Sequence, residues 1–275
     1  MRYGLRFLVP PSVEPIHLAE AKLFLRVDHV DEDSLIEGLI RRARQRCESW
    51  LEAQLIDATW ELKLDEFPSE TSPSSRLSSL EQLSIVVPRV PLVSVSSISY
   101  VDSNGATQTL AASVYQVAPH RLPGLIGQAF NQFWPVARLQ LDAVTVTFLA
   151  GYATPLTANA ATDVLTATGR SFSNGDRVTL TNSGGLLPAG LNGETTYYVV
   201  STTGSTFKLS MSSGGPAVDI TDAGSGTTFA GQVPGSVRQA MLNLIAGWYE
   251  HRGDDVPNEG FEMAVQNQLW LEWSG

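Results

Sequence analysis

A single cysteine, Cys47, in 275 residues excludes an internal disulfide framework and any multi-cysteine metal site. Folding in a reducing cytoplasm is the simple expectation. Cations are scarce: 18 Lys and Arg stand against 28 Asp and Glu, for a net charge of −10. A general nucleic-acid-binding face needs clustered cations to neutralise phosphates, and this balance argues against one. An acidic surface also suits a conduit through which DNA slides without sticking, a reading the charge permits and does not establish. No run approaches the roughly 20 apolar residues that span a bilayer, so no membrane partner is expected. Residues 1–11 open like a signal peptide, but Pro10 and Pro11 cut the apolar run short, and no export signal is expected.

Catalytic patterns are equally sparse. His17, His29, His120 and His251 are far apart, and none pairs at metal-ligand spacing. There is no His-Glu-x-x-His, Cys-x-x-Cys, Walker-type loop or Gly-x-Ser-x-Gly elbow. Asp254-Asp255 reads as solvated surface rather than an acid/base pair. Neither a cofactor nor a metal is expected, and no enzymatic activity.

What the sequence does hold is enough apolar residue, 43%, for a packed core, and a length that fits two domains. The composition shifts near Pro155 and back near Pro234. Residues 155–232 carry 12 Gly, 23 Ser plus Thr and only 8 charged residues. Within this stretch the β-branched and aromatic runs 176–181, 196–201 and 206–210 are bounded by Asn174-Gly175, Ser183-Gly184-Gly185 and Thr203-Gly204-Ser205, which read as turns. The spacing predicts a small all-β sandwich or barrel domain at 155–232, inserted into a host formed by 1–154 and 233–275.

The host opens with a helix over 18–27 and a longer one from about Asp31 to Ala53, with Asp31, Glu32 and Asp33 at its positive end. Leu35, Ile36, Leu39, Ile40, Ala43, Cys47, Trp50 and Leu51 recur at helical spacing as a buried stripe, which makes Cys47 a small core residue. Strands are predicted at 59–65, 84–87, 93–101, 115–117 and 144–148, with a hairpin turn at Ser103-Asn104-Gly105 and a mobile Ser-rich loop at 68–79. Pro234 begins another helix, whose stripe is Val237, Ala240, Met241, Leu244, Ile245, Trp248 and Tyr249, with Gly253 placed to end it. The fold class is therefore α+β, a helical core with a small β portion plus an inserted all-β domain. The tail 254–275 holds Phe261, Leu269, Trp270 and Trp273, costly to leave in water. Arg41, Arg42, Arg44 and Arg46 are the one basic concentration. They read either as a contact to DNA phosphates or as a solvated or subunit-facing side of the long helix.

The run from Pro15-Ile16-His17-Leu18-Ala19-Glu20-Ala21-Lys22 through Leu25-Arg26-Val27-Asp28 resembles the tailed-phage head–tail connector (adaptor) family. So do Asp31-Glu32-Asp33-Ser34-Leu35-Ile36, the long helix, the strand holding Thr59-Trp60, and the late helix with Val237-Arg238-Gln239-Ala240 and Trp248-Tyr249-Glu250-His251-Arg252. The resemblance implies a virion structural protein, made in the host cytoplasm and placed at the head–tail junction. It implies a ring, usually of twelve, between portal and tail protein, continuing the channel for packaged DNA without reading its sequence. It also implies portal docking through the C-terminal segment, which would make Phe261, Leu269, Trp270 and Trp273 the anchors. The stretch 183–200 looks like a β module of phage structural proteins, so tail fibres or spikes are further expected partners through 155–232. The alternative is a carbohydrate- or fibre-binding virion protein, with Tyr197, Tyr198 and Phe207 stacking on sugar rings; aromatics at alternating strand positions more often face a core.

Overall fold

The computed structural model describes residues 3–69 and 83–251, together with Met263, Gln266 and Asn267. The described chain falls into two compact units, one of residues 1–10 with 58–151 and the other of 11–57 with 152–275.

The first unit is built on strands. β1 (Tyr3–Val9), β2 (Ala58–Leu64), β8 (Val144–Ala150), β4 (Leu92–Val101) and β5 (Thr107–Thr109) form an antiparallel sheet in that order. β3 (Ile85–Val87), β7 (Gly124–Gln128) and β6 (Tyr115–Ala118) form a second sheet of three strands. The residues 1–11 that begin like a leader thus contain an edge strand. β2 lies inside the sheet with β1 and β8 on either side, and its Trp60, Glu61, Leu62 and Leu64 are all buried. The buried Glu61 carboxylate is met by Arg6 Nε at 2.7 Å and Lys63 Nζ at 3.6 Å. Ser103-Asn104-Gly105 turns the β4–β5 hairpin as predicted. Asp102 accepts from the Asn104 and Ala106 amides, and Gly105 takes the positive φ the turn requires. Trp60, Leu62, Ile85, Ile98, Ile126, Val146 and Phe148 are among the residues that form the core.

The second unit holds three α-helices and a closed barrel among its described residues. α1 (Leu18–Leu25) starts on His17, whose Nδ1 accepts from the Ala19 amide, and ends on Arg26 in the left-handed region. α2 (Asp33–Leu51) begins two residues later than Asp31 and ends at Glu52, also left-handed. Its inward face is Ile36, Ile40, Ala43, Arg44, Cys47, Glu48 and Leu51. Leu35, expected in that stripe, is exposed instead. α3 (Gly235–Glu250) packs on α2 and α1 through the face holding Val237, Ala240, Met241, Leu244, Ile245 and Trp248. Cys47 is buried in this helical core, and burial, aided by the Glu48 charge, pushes its thiol up to about 12.

The barrel runs β10 (Val164–Ala167), β13 (Thr206–Ser210), β12 (Thr196–Thr203), β11 (Arg177–Ser183), β14 (Thr227–Gly231), β9 (Ala153–Asn159) and back to β10. Closure leaves no free sheet edge. Leu156, Leu165, Phe172, Leu180, Tyr197, Val199, Phe207, Leu209 and Ile220 fill the interior. Tyr197 directs its hydroxyl to accept from the Asn192 amide at 2.8 Å. The expected Ser-rich loop at 68–79 lies, beyond Ser69, outside the described residues, as do Gly253 and Asp254-Asp255.

Candidate functional site

Among the described residues no cluster of three or more His, Cys, Asp or Glu could hold a metal. What the structure does assemble are three polar networks and several exposed apolar faces.

The four arginines of α2 do not make one patch. Helical spacing turns Arg44 inward, where Nε donates to Glu14 Oε2 at 2.6 Å and Nη1 to Glu48 Oε2 at 2.7 Å. Burial opposes the Arg44 charge, but the Glu14 hydrogen bond and the two carboxylate charges outweigh it and hold its pKa above the ordinary value. Burial pushes Glu48 upward, against the pull of Arg44 and of the Leu55 amide at 3.1 Å, and Gln54 Nε2 also donates to its carboxylate at 2.8 Å. This network ties the end of α2 to the turn that follows. Arg42 lies over the Trp248 ring at 4.0 Å, and Arg46 over Trp50 at 4.9 Å. Arg41 projects outward, with Nε 4.0 Å from Glu14.

A second network joins α1, the barrel and α3. The His17 amide donates to Ser183 Oγ at 2.7 Å, and that hydroxyl donates to Glu20 Oε2 at 2.5 Å. Arg238 completes it, pairing with Glu20 and donating to the Pro15 carbonyl. Gly184 is required here twice over, by a φ of +75° and because a Cβ would lie 2.4 Å from His17 Nδ1.

The third network is buried at Asp57. Its Oδ2 accepts from Thr154 Oγ1 at 2.7 Å, Arg170 Nη1 stands 3.4 Å from the same hydroxyl, and Asp57 Oδ1 has no hydrogen-bond partner. Burial pushes this carboxyl up to about 6, against the Thr154 hydrogen bond and the Arg170 charge.

The exposed faces are apolar. In the segment 129–142, between β7 and β8, Phe130, Phe133, Val136, Leu139 and Leu141 are between 78% and 98% exposed. The segment is nevertheless anchored. Trp134 stacks on Phe67 with centroids 5.1 Å apart and donates to the Leu83 carbonyl, Ala137 packs on the core, and the Arg138 amide donates to the Val101 carbonyl. On the second unit, a groove of about 610 Å³ opens between α1 and α3, lined by Phe24, Leu25, Ala246 and Gly247 with Arg26 and Glu250 at hand. The outer edge of β1 is also open, with Tyr3, Leu8 and Val9 exposed.

Sequence reasoning does not single out the 129–142 row. A signal is there: Phe130, Phe133, Val136 and Leu139 recur every three residues, the period of an extended polyproline-type chain, with Pro135 barring a helix. Of the aromatics offered for sugar stacking, Tyr197 and Phe207 are interior to the barrel and out of reach of a ligand. Tyr198 is partly exposed beside Arg177. Phe261, Leu269, Trp270 and Trp273 lie outside the described residues.

Two solved structures share this fold over nearly its whole length. One chain, from a structure described as the virion of a native gene transfer agent (GTA) particle, has a TM-score of 0.53 at 16% identity, covering 96% of this chain and 93% of that one. Another, from the neck of an empty GTA particle computed with C6 symmetry, has a TM-score of 0.50 at 15% identity, covering 98% and 94%. No curated protein matches the sequence. Residues 15–86, which take in α1, α2, β2 and the start of β3, match the family described as phage gp6-like head-tail connector protein.

Proposed function

We propose that this chain is a structural protein of a phage-like virion, a head-to-tail connector that sits at the head–tail junction and works by assembling into a ring. The observation that carries the reading is the connector-family match over 15–86, supported by a fold shared along the whole chain with components of GTA particles. The ring lies between the portal and the tail proteins, continues the channel for packaged DNA and has twelve subunits, a number compatible with the sixfold symmetry of the similar neck. An acidic subunit of net charge −10 suits a channel wall that DNA passes without adhering. Portal docking by the tail with Phe261, Leu269, Trp270 and Trp273, outward contacts of residues 155–232 with fibres or spikes, and contacts of the α2 arginines with DNA or a neighbouring subunit belong to the same proposal. For the last, Arg41 is the best placed, since Arg44 is held between two carboxylates. No catalytic step is part of it.

Electron microscopy of the protein mixed with its portal, with and without residues 254–275, tests the proposal. A twelvefold ring on the portal is the expected image. A ring that survives the truncation discards the tail anchors. A chain that stays monomeric and binds no virion protein overturns the function.

A further inference from the structure

We infer that the apolar row of residues 129–142 is an arm that seats in the α1–α3 groove of a second copy of this chain. The inference rests on the connector reading for the ring and names the two surfaces that close it.

The arm is a built display rather than a loose loop. Trp134 and Ala137 hold it to its own core, and the three-residue repeat turns Phe130, Phe133, Val136 and Leu139 away from that core. An anchored backbone has already lost its conformational freedom, so a partner that covers the row orders little more than side chains. Each exposed phenylalanine offers on the order of 150–250 Å² of surface. With the three aliphatic side chains, the row approaches the roughly 800 Å² per partner of a standard stable interface.

Charge points to a second copy as the occupant. Two subunits of net charge −10 repel wherever acidic faces meet. The arm carries only Arg138 and Asp142, and the groove only Arg26 and Glu250 among Lys, Arg, Asp and Glu, so each face sums to zero. These faces let like-charged copies meet without that penalty. The groove is lined by Phe24, Leu25, Ala246 and Gly247, with the neutral polar Asn243 and His251 beside them, and its volume admits two or three side chains of the row. Arm and groove are different surfaces of one chain, so the contact is head-to-tail, the kind that closes into a ring when its rotation allows.

Two singly substituted chains carrying different tags, Gln132→Cys in the arm and Asn243→Cys in the groove, provide the test when mixed with portal under mild oxidation. Buried Cys47 stays out of the reaction. A disulfide joining the two tags is expected. Alongside it, the variant with Ser at Phe130, Phe133, Val136 and Leu139 is expected to keep its melting temperature while requiring a concentration on the order of 100-fold higher to assemble. A ring that forms without the mixed disulfide, or an arm cysteine that links to the portal instead, overturns the arm–groove contact and leaves the connector reading standing. A mixed disulfide from chains that never bind portal does the reverse. No assembly and no disulfide sinks both.

Discussion

In the barrel at 153–231, Phe172, Tyr197, Phe207 and Leu209 are enclosed, and of its large apolar side chains only Leu186 and Met211 stand exposed. The fourteen residues at 129–142 expose five. Both regions are low in charge, and both follow a strict geometry. The barrel satisfies its apolar residues by closing on itself, whereas the arm holds its backbone in place and leaves its side chains for another molecule to cover. Low charge therefore has two meanings in this chain, a self-contained shell in one place and a mating surface in the other.

Phe207→Ala should separate the two most sharply. Emptying an interior aromatic position costs about 3–5 kcal/mol, to be read as a lower denaturation midpoint of the whole protein. Phe130→Ala should leave that midpoint within about 0.5 kcal/mol of the original and alter only assembly. Equal effects would erase the distinction.

Asp57 sharpens it on the barrel side, where the Thr154 hydroxyl of β9 donates to its carboxylate. Its folded pKa of about 6 lies above the ordinary 3.8. The folded state then holds the proton more tightly than the unfolded one, so this contribution to stability is complete below about pH 4 and lost as pH rises through 6. A tenfold change in acidity is about 1.4 kcal/mol, and roughly two such factors amount to about 3 kcal/mol. Asp57→Asn should remove that loss, making the protein more stable at pH 7 and flattening its pH profile between 4 and 7 in chemical denaturation. An unchanged profile would mean that the carboxyl finds a partner in solution.

A smaller effect than those of Phe207→Ala and Asp57→Asn belongs to Ser183→Ala, which strips the His17 amide of its acceptor and Glu20 of one donor. A cost of about 1–3 kcal/mol is expected in the same denaturation measurement. Ser183→Thr, which keeps the hydroxyl, should recover part of it.

The helices were legible because a 3.6-residue stripe survives any detail of packing: Ile36 to Leu51 and Val237 to Trp248 lie where their spacing puts them. β11, β12 and β13 were legible for a similar reason, as β-branched and aromatic runs between glycine turns. β9, β10 and β14 were not, since Ala, Thr, Pro and Gly dominate them and it is pairing in a closed barrel, not propensity, that makes them strands. Pro155 even sits within β9, and the composition shift that it marks falls inside a strand. Arg44 read as surface because charge is rarely buried, although its i, i+4 spacing to Glu48 was the clue that the two neutralise each other. Leu35 was placed inward by spacing alone, and the helix turned it out. The arm escaped both strand and helix periods because its repeat is three.

The packing of α2 on α3 joins residues made far apart in translation. Everything from residue 52 to residue 234 must leave the ribosome before α3 exists, roughly 10–40 s at bacterial elongation rates of about 5–20 residues per second. Through that interval Ile36, Ile40, Ala43 and Leu51 have α1 as a helical neighbour but lack α3. The nascent chain thus carries a stripe that α3 has not yet covered while the barrel is still being synthesised, and a chain broken off before residue 235 lacks that cover for good. In the cell, the late arrival of α3 is what turns an aggregation-prone intermediate into a packed helical core.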